Sequence, residues 1–284
     1  MTQIAHPILE SPAGFNGGYL TTWDGRAKHG VGPGGIKYNV KLGSPCFGWP
    51  ETEYLEPGVS LKEVETKAAP HQNPSSFATT MNTVCCVGNE ATLVSGDAKG
   101  KKGVIIGKTN RHVLAQFPDE TLVALTIGDQ VRIRAEGVGL EVEGFKGNVF
   151  NMSGEFLDSL NLSLIGETLG FSVTKIIPAY AMGSGVGGSE AQRGTFSIQS
   201  NPPELVEELG IGDLRIGDFV ALKDILMHYG KAYHRGAITI GVVVTGASDN
   251  AGHGPGVLSL SSSKSGMILP EIDRSANLTR YIRG

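Results

Sequence analysis

Cysteine is scarce in this sequence. Three occur in 284 residues, Cys46, Cys85 and Cys86. The number is odd and two are adjacent, so no disulfide framework is encoded and a reducing, cytoplasmic compartment is expected. Basic charge is also short, with 24 Lys and Arg against 28 Asp and Glu. A net charge of −4 leaves no blanket positive surface for a phosphate backbone, which argues against nucleic acid as a partner. Long apolar runs are missing. The longest, such as 237–245, fall far short of the roughly 20 residues that cross a bilayer, so no membrane partner is expected. The opening MTQIAHPILESPAG has neither the basic start nor the apolar core of a secretory signal. The histidines show no HxH or HExxH spacing. Any divalent metal would have to be gathered from distant residues, and the sequence leaves that open.

What the chain has in excess is glycine. Its 41 glycines are about twice ordinary usage. They fall in GG, GxG and GD pairs between short apolar runs, not at every third position. That is the pattern of many tight turns joining many short strands. VCCVG, ATLVSG, GVIIGK, HVLAQF and QVRIRA read as strands, and later DFVALKDI, AITIGVVVTG and VLSLSSS. Two helices are predicted. SGEFLDSLNL has Ser153 as its N-cap, and PPELVEELG has prolines at its start and Gly210 as its stop.

The expected fold is α+β and mainly β, with two barrel- or sandwich-like lobes and a few short helices. Residues 1–80 form an irregular segment rich in Gly, Pro and aromatics. Disordered segments are poor in aromatics, so it is expected to pack on the body or on a neighbouring subunit, which makes a homo-oligomer the expectation. Residues 81–150 make a first β-rich domain and 151–284 a second with short helices. An internal echo suggests a duplicated β unit, so an internal duplication is one expectation. LTIGDQVRI from Leu125 and LRIGDFVAL from Leu214 stand at an offset of 89, which also carries Ser95-Gly96 onto Ser184-Gly185. The alternative is that GD turns before strands are common in β proteins.

Three glycine loops could carry chemistry. ATLVSGDAKGKKGVIIGK resembles the KOW motif of ribosomal and transcription proteins, with Lys99, Lys101, Lys102 and Lys108 available to phosphates. The same loop could form an anion-binding nest, with Asp97, Lys99 and Lys102 as ligand-binding residues. YAMGSGVGGSEAQRG supplies Gly183, Ser184 and Gly185 for close backbone approach to a ligand. No apolar helix follows it, so it is not a dinucleotide fingerprint, and no nucleotide cofactor is encoded. NAGHGPGVLSL places His253 on a loop leaving an apolar strand, with Asp249 four residues upstream to orient the ring. Glu56, before Pro-Gly in EYLEPGVSL, is a further candidate base against the plain reading of a solvated turn.

Taken as a set, PGGIKYNV, EPGVSL, VGNEATLVSGDAKGKKG, IPAYAMGSGVG, LRIGD and AGHGPGV resemble a prokaryotic domain-of-unknown-function family with a structural-genomics representative from a thermophile. The resemblance covers about residues 34–255 and implies a two-part, mainly β protein with no assigned activity. SGDAKGKKG alone is similar to a Gly-Asp-Ala loop of the acetamidase/formamidase family, whose metal-binding histidines have no counterparts here.

The leading expectation is a small-molecule enzyme, a hydrolase or lyase acting on an anionic or carbonyl-containing metabolite. In it the glycine loops present N–H groups and His253, Asp249 and Glu56 do the acid–base work. The alternatives are a KOW-like nucleic-acid or protein-binding module and an oligomeric structural protein.

Overall fold

A computed structural model describes residues 2–6, 20–21, 27–28, 39–48, 55–63, 78–110, 112–126, 129–264 and 266–282. The elements run β1 (Thr2–His6), β2 (Leu20–Thr21), β3 (Ala27–Lys28), β4 (Asn39–Val40), β5 (Glu56–Pro57), β6 (Val59–Glu63), α1 (Ala78–Val84), β7 (Glu90–Leu93), β8 (Lys102–Lys108), β9 (Val113–Gln116), α2 (Asp119–Leu122) and β10 (Gln130–Arg134). There follow β11 (Asn148–Val149), α3 (Gly154–Ser159), β12 (Ser163–Ile165), β13 (Thr168–Val173), β14 (Lys175–Pro178), β15 (Phe196–Ser197), α4 (Pro203–Leu209), β16 (Phe219–Met227), β17 (Lys231–Val243), β18 (Gly256–Ser263) and β19 (Ile268–Ile272). The fold is mainly β with short helices, as the composition predicts.

Six strands close a barrel in the order β1-β10-β7-β8-β9-β6. Alternation decides which side chains fill it. Ala91, Leu93, Ile105, Val113, Ala115, Val131 and Ile133 face inward and are buried together. Lys102, Thr92 and Arg132 stand in one cross-strand row on the outer wall. Helix α1 and the turn after it stop one end, adding Met81 and Cys85 to the barrel core. Two barrel strands, β1 and β6, come from the first eighty residues, so part of the segment read as irregular is structural wall. The aromatics Phe15, Tyr19, Trp23, Tyr38, Trp49 and Tyr54 lie outside the described residues.

The second lobe is a larger sheet, ordered β11-β18-β17-β16-β14 with β15 on β18. Its middle strands are covered on both faces. Phe219, Ala221, Ile240, Val242 and Leu258 face one core, which also takes Ile106 and Leu114 from the barrel's outer wall. Val220, Leu222, Val243 and Val257 face the other, with Ile198, Ile211 and Ile216. Burial on both faces explains why DFVALKDI and AITIGVVVTG read as continuous apolar runs rather than alternating ones. A small third sheet, β12-β13-β19, completes the lobe.

Two helix readings hold in detail. Ser153 Oγ accepts from Phe156 N at 3.1 Å at the start of α3, and Gly210 ends α4 in the left-handed conformation. VCCVG is not a strand. Val84 ends α1, and Cys85 and Cys86 lie in the turn to β7, where Cys86 N donates to Asn89 Oδ1. A short apolar run fits a buried helix end as well as a strand, and periodicity does not separate them.

Candidate functional site

The seam between the two lobes holds a run of buried polar side chains. Gly58 sets its geometry. It sits between β5 and β6 with φ +67°, and a Cβ there would lie 2.3 Å from the Ala115 carbonyl oxygen of β9. Only glycine takes that close approach. The kink folds Glu56 back over β6, where Ser60 Oγ donates to Glu56 Oε2 at 2.8 Å. The same oxygen lies 3.3 Å from His112 Nδ1. Glu56 and His112 are 4% and 2% exposed. Ser60 pairs with Leu114, whose side chain faces the seam, so Ser60 stands on the barrel's outer wall.

A bulge brings Lys108 to the other side of that wall. Ile105 opposes Ala115, but Gly107 opposes Leu114 and Lys108 opposes Val113. The extra residue flips the alternation, which sends Lys108 inward toward α1. Its ammonium donates to the Asn82 and Cys85 carbonyls at 2.5 and 2.7 Å. Those carbonyls form the negative end of α1, which has no basic residue in its own last turn. Burial pulls the Lys108 pKa down to about 8, with the Cys86 and Cys85 thiols opposing the shift. Burial likewise pushes the Cys86 thiol up. Asn82 Nδ2 donates to Thr109 O at 2.7 Å, and Thr109 Oγ1 accepts from His112 N at 3.1 Å. Lys108, Asn82, Thr109, His112, Glu56 and Ser60 thus form one connected network across the wall.

On the facing lobe, two of the three glycine loops meet. Ser184 N donates to Gly252 O at 2.7 Å, and Ser200 N donates to His253 O at 3.1 Å. A Cβ on Gly183 would fall 2.1 Å from Gly252 O, so that glycine is required by packing. Thr195 N, at the end of the first loop, donates to Asn110 Oδ1 at 3.1 Å, tying the loop to the turn that carries His112. Lys231 pins the loop by donating to the Glu190 and Arg193 carbonyls.

Three expectations change. The loop holding Asp97 and Lys99 does not join the other two. It lies at the far end of β8, about 20 Å along a seven-residue strand from Lys108. Asp97, Lys99 and Lys102 are exposed, and Lys102 pairs with Glu90 at 2.6 Å. Nor do Gly183 and Ser184 offer N–H groups to an anion, because Ser197 O and Gly252 O already accept them. The four-lysine face of the KOW-like reading does not form either, since the bulge buries Lys108.

His253 is half-buried, with Nδ1 3.0 Å from Ala251 O, and Asp249 is exposed. His112, Ser60, Asn82 and Lys108 as one buried polar group were not found by motif. The one available signal was a polar run, GKTNRH, between two apolar strands. Among the described residues no three His, Cys, Asp or Glu side chains are grouped to hold a metal ion. No helix among them is long and apolar enough to cross a membrane.

These features define a two-part, mainly β protein in which a six-stranded barrel is seated on a doubly covered sheet. The N-terminal part of a domain of unknown function, DUF4438, matches residues 19–158 and its C-terminal part matches residues 160–282. The chain belongs to that family. A solved Thermotoga structure, described as "Crystal structure of TM1086", is 34% identical, with a TM-score of 0.83 over all of this chain and 96% of its own. No curated protein matches the chain.

Proposed function

We propose that the protein is a small-molecule enzyme of the hydrolase or lyase type, with its acid–base group at the seam. The observation that carries this reading is the Glu56–His112 pair, buried at 3.3 Å with Ser60 donating to the same carboxylate oxygen. Burying a carboxylate and an imidazole together is expensive, and here both are almost fully buried. A histidine oriented by a carboxylate is the arrangement of a general acid–base catalyst. The favoured substrate is a carbonyl-containing molecule, which such a group activates by proton transfer. An anionic substrate has lost the Gly183 and Ser184 N–H donors first assigned to it. Glu56 and His112 take the catalytic roles, Ser60 positions Glu56, and the loops carrying Ser184 and His253 form the rim.

A panel of small carbonyl metabolites, read by thermal shift and then by turnover, tests the reading. At least one compound should raise Tm, with the shift lost in His112→Gln and Glu56→Gln variants that remain folded. If no compound stabilises the wild type, or both variants respond as it does, the seam is structural.

A further inference from the structure

Lys108 and Asn82 retain one donor and one acceptor beyond those described. An ammonium carries three N–H donors. Two of those on Lys108 go to the Asn82 and Cys85 carbonyls at 2.5 and 2.7 Å. Asn82 gives Nδ2 to Thr109 O at 2.7 Å, which fixes which way its amide faces. Its Oδ1 has no hydrogen-bond partner among the described residues, although the side chain is only 1% exposed. Lys108 is bonded directly to the Asn82 main chain, so the two groups belong to residues already in contact. Both are at the barrel end under α1.

A buried charged donor and a buried amide oxygen are each costly to leave unsatisfied. The chemistry of the pair selects what could satisfy both. A carboxylate would accept from Lys108 but offer Asn82 only repulsion. An ammonium would do the reverse, and an apolar group would serve neither. A hydroxyl accepts from Nζ and donates to Oδ1.

We propose that the barrel end is a binding site for one hydroxyl oxygen, held between Lys108 Nζ and Asn82 Oδ1. The hydroxyl belongs to a water or to the alcohol group of a small organic ligand. The site goes beyond the acid–base reading and stands without it, since neither Glu56 nor His112 is needed to form it. An occupant would nonetheless sit close to the His112 turn, through Asn82 and Thr109.

A crystal structure of the full chain, at a resolution that shows ordered waters, decides the matter. The expected result is an oxygen-sized peak about 2.7–3.2 Å from both atoms. An isolated peak identifies water. A peak continuous with carbon density, matched by an adduct in native mass spectrometry, identifies an organic hydroxyl. In an Asn82→Leu variant the peak should vanish. No peak in the wild type, Oδ1 turned onto a protein donor, or a peak that persists in the variant would overturn the proposal. Should the variant fail to fold, the wild-type density is sufficient.

Discussion

Asp129 and Asp218, at an offset of 89, close the same turn. Asp129 N donates to Thr126 O at 3.0 Å while its Oδ2 accepts from Thr126 N at 2.8 Å. Asp218 N donates to Arg215 O at 3.0 Å while its Oδ2 accepts from Arg215 N at 2.9 Å. The strands that follow part company. β10 pairs antiparallel with β1 and β7, whereas β16 pairs parallel with β14 and antiparallel with β17. The two Ser-Gly matches also differ, since Gly96 packs on the Asp129 carboxylate and Gly185 on the backbone of Thr195 and Phe196. The sequence echo therefore reports a reused turn, in which a carboxylate two residues after isoleucine caps the preceding N–H.

The two aspartates should differ in what they contribute. Asp218 also accepts from the Arg215 guanidinium and from Asn277 Nδ2. Removing it takes one acceptor from the buried Asn277 amide and the charge partner from Arg215. Asp218→Ala is expected to destabilise by about 3 kcal/mol and Asp129→Ala by about 1 kcal/mol in chemical denaturation. Equal costs, or the reverse order, would contradict this account of the turn.

The Glu56–His112 contact predicts a coupled response. Glu56→Ala alone should cost roughly 3 kcal/mol, because it removes a buried acceptor shared by Ser60 and His112. In the double variant with His112→Ala the two costs should fall short of additive by about 1–3 kcal/mol. Urea unfolding of the four proteins completes the cycle. Strict additivity would mean the two side chains do not sense each other.

Gly58 and Gly100 form a matched comparison. Both have positive φ, +67° and +88°, but a Cβ at Gly58 meets the Ala115 backbone at 2.3 Å while one at Gly100 meets nothing within 4 Å. Gly100→Ala should lose about 1 kcal/mol from backbone strain alone. Gly58→Ala should lose well over 2 kcal/mol and displace Glu56, seen as a changed His112 imidazole resonance in NMR. If the two variants melt together, the close approach at Ala115 is not a constraint.

Lys108 gives stability a signature at alkaline pH. Its folded pKa, about 8, lies below the unfolded value of 10.5. Between those values the unfolded chain holds the extra proton, so this group makes stability rise with pH, by roughly 3 kcal/mol in all. The buried thiols of Cys46 and Cys86, both pushed up, act in the opposite direction above their ordinary range. Lys108→Met should remove the rising part. The difference in unfolding free energy between wild type and variant, followed from pH 7.5 to 10.5, isolates it. A difference that is flat with pH would show that Lys108 titrates normally.

Much of the scaffold was legible because local rules and packing agree. Ser153 caps α3, Gly210 ends α4, and the apolar runs of β16, β17 and β18 are strands buried on both faces. The site was less legible. Glu56 was visible as a candidate but looked like a solvated turn acid. Its burial depends on Gly58 meeting Ala115, a contact between residues far apart in the chain. Lys108 looked like one of four hairpin lysines, and only the bulge at Ile105–Gly107 turns it inward. Cys85 and Cys86 were misplaced for a similar reason, since a helix end that stops a barrel carries the same apolar run as a strand.

The closure of the barrel carries a consequence for biosynthesis. β1 lies between β6 and β10, with Ile4 opposite both Lys62 and Gln130. On a ribosome adding about 5–20 residues per second, β1 is complete on the order of ten seconds before β10 exists. During that interval the growing chain gathers up to five strands of a future cylinder, with the borders of β1 and β7 that face β10 unmatched. Such borders invite pairing with other nascent chains. The ring is sealed only when a segment made early is joined to one made much later, so the slower the synthesis, the longer those borders stand open.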